Sequence, residues 1–146
     1  MLSEITKLFD RDLQKLITET DAFSTEAHLW QTQGSIKNPA GNLALHLIGN
    51  LNHFVGRNLG GTQYVRNREA EFSTRNLPKA ELVEQLAKTK ITVLAALQTL
   101  QETDLQKTYT DLPFEGEMTT GHFLLHLWGH LNYHLGQINY LRRMQE

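Results

Sequence analysis

The chain has 146 residues, 40% of them hydrophobic and 21% charged, with a formal net charge of −2 and no cysteine. That size fits a single domain over 1–146, built on one continuous core. The missing cysteines exclude disulfides, zinc ribbons and a thiol nucleophile of the protein's own, and the lack of a sustained Lys/Arg cluster excludes an electrostatic footprint for nucleic acid.

The opening stretch MLSEITKLFDRDLQKLI mixes acids and bases where a secretion signal would need a basic start and an apolar run. A cytoplasmic protein is therefore expected. Apolar residues at helical spacing predict a first helix over 3–23, with Leu2, Ile5, Leu8, Phe9, Leu13, Leu16 and Ile17 in one stripe. The next stretch, STEAHLWQTQGSIKNPAG, reads as a loop, because Gly34 and the Asn38-Pro39 pair break any period.

A second helix is predicted to begin with Asn38 as its cap and Pro39 in its first turn, and to end near Arg57. Its uncharged stretch is broken by Asn, His and Gly and does not read as a membrane span. The polar segment 62–77 lacks a clear period and reads as a long surface connection, a feature that is often functional in a compact domain. A third helix is predicted from near Pro78 to about Thr103, and a connection containing Pro113 and Gly116 follows. A fourth helix, capped by Thr119 or Thr120, runs to about Arg143. The sum is an all-α four-helix bundle with long crossover connections.

The last helix carries a histidine at every fourth position: His122, His126, His130 and His134. Residues four apart lie about 6 Å apart along the axis and about 40° apart around it, so two adjacent imidazoles can meet at one metal ion. Three successive rungs span about 12 Å of rise, too far for bonds of about 2 Å to a single ion. Against the stripe of Leu124, Leu127, Leu131, Leu135 and Ile138, His134 lies about 40° from the apolar centre and His130 about 80°. His126 sits at the margin, and His122 points to solvent. A third ligand has to come from another helix, and the second offers His46 and His53. Both flank the stripe of Leu43, Ala44, Leu47, Leu51, Phe54 and Val55, and the wheel leaves that choice near even.

The stretch HLNYHLGQINYLRR, from His130 to Arg143, resembles the last-helix signature of the DinB-like (YfiT-like) metal-dependent proteins, His-x-x-x-His-x-Gly-Gln followed by an apolar run; here Leu135 precedes Gly136 and Gln137. NLALHLIGNLNHFVG resembles the second helix of the same superfamily, and YVRNREAEF resembles a bacterial subgroup of it. The resemblance implies a crossed-over four-helix bundle, often a homodimer, with a divalent metal, zinc or nickel, on three histidines that correspond to His46, His130 and His134. It also implies a small-molecule substrate and a low-molecular-weight thiol such as bacillithiol or mycothiol, as in relatives that are transferases or isomerases.

Three imidazoles leave an open coordination position, which suits transfer to a thiol first and metal-assisted hydrolysis second. Asn50 and Gln137 are candidates to orient a ligand, and Arg66, Arg68 and Arg75 to bind carboxylates of a thiol cofactor, against the plainer reading of a solvated or dimer-contact loop. Di-iron and zincin chemistry are excluded, since neither Glu-x-x-His nor His-Glu-x-x-His occurs, and nothing favours haem. The alternative is a non-catalytic helical dimer or a ligand-binding, stress-related module whose histidines are structural.

Overall fold

A computed structural model describes residues Met1–Glu146. The long helices are α1 (Leu2–Asp21), α2 (Ala40–Leu51), α4 (Lys79–Gln98) and α5 (Thr120–Met144), and a short α3 (Arg68–Ser73) lies in the connection between α2 and α4. Single 3-10 turns occupy Glu26–Trp30 and Glu102–Gln106. No helix is long and apolar enough to cross a membrane.

Cross-helix pairs fix the directions. Asp12 meets Trp128 and Asn132, and Glu19 meets Arg142, so α1 and α5 run parallel. Lys90 meets Asp10 and Gln14 while Lys79 reaches Asp21, so α1 and α4 are antiparallel. Asn52 meets Thr89, and Gly56 packs on Thr92, so α2 and α4 are parallel neighbours. Each of α1 and α2 packs against both α4 and α5, which places the pairs α1/α2 and α4/α5 on the diagonals of the bundle.

This topology dictates the long connections. Residues 22–39 and 99–119 cross the bundle's ends, and residues 58–78 must travel back along the full length of α2 before α4 can start in the same direction. That return path lays α3 against α2 and brings a charged segment alongside the bundle's interior. Asn67 caps α3 by accepting a hydrogen bond from Ala70 N at 3.1 Å. Buried Asn42 clamps its far end, donating to the carbonyls of Glu71 and Thr74.

The core is one cluster in which Phe9, Leu13 and Leu16 from α1 meet Leu47 and Leu51 from α2, Leu82, Leu86 and Leu97 from α4, and Phe123, Leu127 and Leu131 from α5. Burying each such side chain is worth about 1.5–3 kcal/mol, so the interlocked stripes hold the helix rotations that the site depends on. Asp12 adds a polar pin. Fully buried, it accepts hydrogen bonds from Trp128 Nε1 at 2.7 Å and Asn132 Nδ2 at 3.0 Å, two residues before and after His130. With those residues turned to α1, His130 faces α2 on the other side of the helix.

Several element boundaries differ from the expectation. The α2 helix starts one residue later than predicted: Pro39 occupies the capping position and exposed Asn38 caps nothing. The α4 helix stops at Gln98, because the Thr99 hydroxyl turns back to the Ala96 carbonyl and Gln101 opens a separate capped turn with Asp104. The segment 62–77 contains a helix. Beyond Leu51, α2 widens into a π-helical segment, Asn52–Arg57, in which Asn52 Nδ2 bonds both the Ile48 carbonyl and Thr89.

Candidate metal centre

His46 projects from the middle of α2, and His130 and His134 project from successive turns of α5, which is capped by the Thr119 hydroxyl. The three rings meet edge to face, with centroids 5.0 Å apart for 46 and 130, 5.3 Å for 46 and 134, and 4.6 Å for 130 and 134. His130 Nε2 stands 3.1 Å from His46 Nε2 and 3.1 Å from His134 Nε2. One nitrogen from each ring falls within 4.8 Å of the others.

The far side of each outer ring decides its tautomer. His46 Nδ1 lies 3.0 Å from Glu71 Oε1 and His134 Nδ1 lies 2.7 Å from Gln137 Oε1. Both oxygens accept, so both Nδ1 atoms donate, and each Nε2 is left with its lone pair directed at the common point. Burial pushes the His130 ring down to about 3, helped by the neighbouring His134 and His46, and burial lowers His134 as well. Both imidazoles are therefore neutral at physiological pH, the form that binds a metal.

Glu71 is the member of the site that the sequence reading left out. The residue is 5% exposed, and its carboxylate receives Arg66 in a two-pronged pair, Nε to Oε2 at 2.9 Å and Nη2 to Oε1 at 2.9 Å. Burial pushes this acid up, but the hydrogen bonds from His46 and Arg66 outweigh it and hold Glu71 below the usual carboxylate range. Phe72 covers the His46 ring at 5.0 Å. The signal that could have found α3 was there: Asn67 followed by Glu69 and Glu71 is a cap with an acidic first turn.

The other expected participants separate. His53 falls in the π-helical segment and turns to Asp111, 2.8 Å from its Nε2, outside the triad. His122 and His126 are exposed, and His126 stacks on Phe123. Asn50 is buried one turn after His46, and its Oδ1 has no partner. The arginines of the connection do not present a free anion site: Arg66 is committed to Glu71, Arg68 lies over Phe72, and Arg75 donates to the carbonyls of Phe72 and Thr74.

The donor set fits a divalent ion. Bonds of about 2.0–2.1 Å at tetrahedral angles would separate two nitrogens by about 3.4 Å, close to the spacing across His130. A carboxylate behind a ligating histidine is the usual way such a ring is oriented and made more basic.

The chain is an all-helical bundle whose three-histidine cluster, one ring buried and two half-buried, is compatible with metal binding. This chain belongs to the DinB superfamily, whose profile matches residues 8–138. The fold is similar to that of a crystal structure of a DinB-like protein from Bacillus cereus ATCC 10987, with a TM-score of 0.70 and 20% identity over 92% of this chain and 85% of that one. No curated protein matches the sequence.

Proposed function

We propose that this protein holds a divalent metal, zinc or nickel, on His46, His130 and His134, and uses the remaining coordination position to activate a low-molecular-weight thiol for transfer to a small electrophile. The observation that carries the reading is the convergence of three Nε2 atoms whose outer two rings are locked in the metal-binding tautomer by Glu71 and Gln137. A bound divalent ion lowers the pKa of a coordinated thiol or water and so supplies a nucleophile near neutral pH. The chain's own part is to keep His130 and His134 neutral, fix the orientation of the rings, and shield the centre with Phe72 and the Arg66–Glu71 pair.

Metal analysis of untagged protein tests the first half. About one equivalent is expected, falling to less than about a tenth in His134→Ala; a wild-type content below that level would sink the reading. The second half is tested by incubating metal-loaded protein with a panel of thiols and electrophiles. Thiol adducts are expected with wild type and not with His130→Ala, and metal-loaded protein that gives no adduct with any pair would point to a binding module.

A further inference from the structure

A cleft of about 500 Å³ opens beside the triad, with His134 and Gln137 in its wall. One side is a face of α5, where Tyr133, Gln137, Tyr140, Leu141 and Met144 recur at helical spacing. The other side comes from the crossing connection, with Ile36, Lys37 and Asn38, and from Leu43 of α2. The volume is that of a small-molecule site.

Its lining states what it would take. Tyr133 and Tyr140 are each 66% exposed and Met144 is 51% exposed, a concentration of large apolar surface that a folded chain usually covers. No carboxylate lines the cleft, and Lys37 is its one formal charge. Gln137 uses Oε1 to hold His134, which leaves its Nε2 hydrogens to donate elsewhere. The Asn38 amide and the Lys37 ammonium add further donors on the opposite wall. Apolar walls and convergent donors without an acidic neighbour select an anion with an apolar body.

We propose that this cleft binds a small aromatic monoanion, such as an aryl carboxylate: the ring lies against Tyr133, Tyr140 and Met144, and the anionic group is met by Lys37 with the amides of Asn38 and Gln137. Because His134 belongs both to the triad and to the cleft, the occupant lies against one of the three rings, with His46 and His130 outside the lining. Its use as a substrate rests on the metal-centre reading above, whereas its binding does not.

The test therefore uses metal-free protein, with metal content measured separately. Calorimetric and NMR titrations compare 2-naphthoate with 2-naphthylmethylamine, which has the same ring system and the opposite charge. Naphthoate is expected to bind once per chain, to shift the Tyr133 and Tyr140 resonances, and to bind more tightly than the amine. Lys37→Glu should weaken it about two- to fivefold, and Tyr140→Ala about two- to tenfold; both positions are exposed, so both variants should fold. Equal binding of the two probes, or none at millimolar concentration, overturns the proposal. So does a concentration-dependent dimer that Tyr140→Glu dissociates while naphthoate fails to bind, since the face would then belong to a second copy of the chain. Naphthoate binding to a protein that takes up no metal would leave the cleft standing and remove only the metal-centre reading.

Discussion

Gly49 leaves the space that the Glu71 carboxylate fills: a Cβ at position 49 would stand 1.9 Å from Glu71 Oε2 and 2.5 Å from its Cδ. The glycine lies one turn along α2 from His46, so the acid can approach the helix closely enough to reach His46 Nδ1. Gly49→Ala must push Glu71 away, and the carboxylate cannot move without loosening both His46 and Arg66. The expected cost is about 1–3 kcal/mol of stability from overpacking, with metal affinity falling about 10- to 100-fold as the orienting bond is lost. Zinc titration against a chromophoric chelator, alongside urea unfolding, reads the two effects separately. Unchanged affinity would mean that Glu71 does not support the ring.

The Arg66–Glu71 pair can be divided into its structural and metal-orienting parts. Glu71→Gln strands a mostly buried guanidinium and is expected to cost about 3 kcal/mol. Replacing both partners with methionine removes the stranded charge, so the double variant should recover most of that stability. Its metal affinity should stay low, because His46 Nδ1 no longer faces an anion. If affinity returned along with stability in chemical unfolding and metal titration, the pair would be structural only.

The four long helices, the inward turn of His130 and His134 and the outward turn of His122 were legible because apolar spacing reports directly on which side of a helix is buried. The choice between His46 and His53 was not legible from periodicity. A wheel assumes a uniform 100° per residue, and the π-helical segment begins at Asn52, one residue before His53, and changes the angle. Glu71 was hidden for a different reason: its burial comes from the parallel arrangement of α2 and α4, which forces residues 58–78 back along the bundle. No local pattern in a polar stretch records that route. Resemblance to the superfamily favoured His46, and the distances place it beside His130.

Asp12 sets a pH dependence that does not involve the triad. The Arg11 guanidinium, with Asn132 and Trp128, holds its carboxyl far below the usual range against the upward push of burial. A carboxyl depressed in the folded state contributes stability that is fully present above its unfolded value of about 3.9 and is lost as pH falls through the folded value. Asp12→Asn should therefore be less stable than wild type by about 2–4 kcal/mol at neutral pH, where a buried charged acceptor is lost. The gap should stay constant down to about pH 5 and narrow below about pH 4. Urea unfolding of both proteins at stepped pH measures it, and a gap that widened in acid would contradict the assignment.

Metal binding itself should appear as stability, because the unfolded chain cannot bring residues 46, 130 and 134 together. An ion at a hundred times its dissociation constant adds about 2.7 kcal/mol, which for a domain near this size raises Tm by about 5–11 °C. The rise should appear with zinc or nickel, disappear on chelation, and vanish in His46→Ala, His130→Ala and His134→Ala. His53→Gln is the decisive control. Its ring is engaged with Asp111, so the variant should start less stable yet show the full metal-induced rise. If His53→Gln lost the rise while His46→Ala retained it, the centre would be built on the other histidine of α2, and the contact between Glu71 and His46 would have no part in holding an ion.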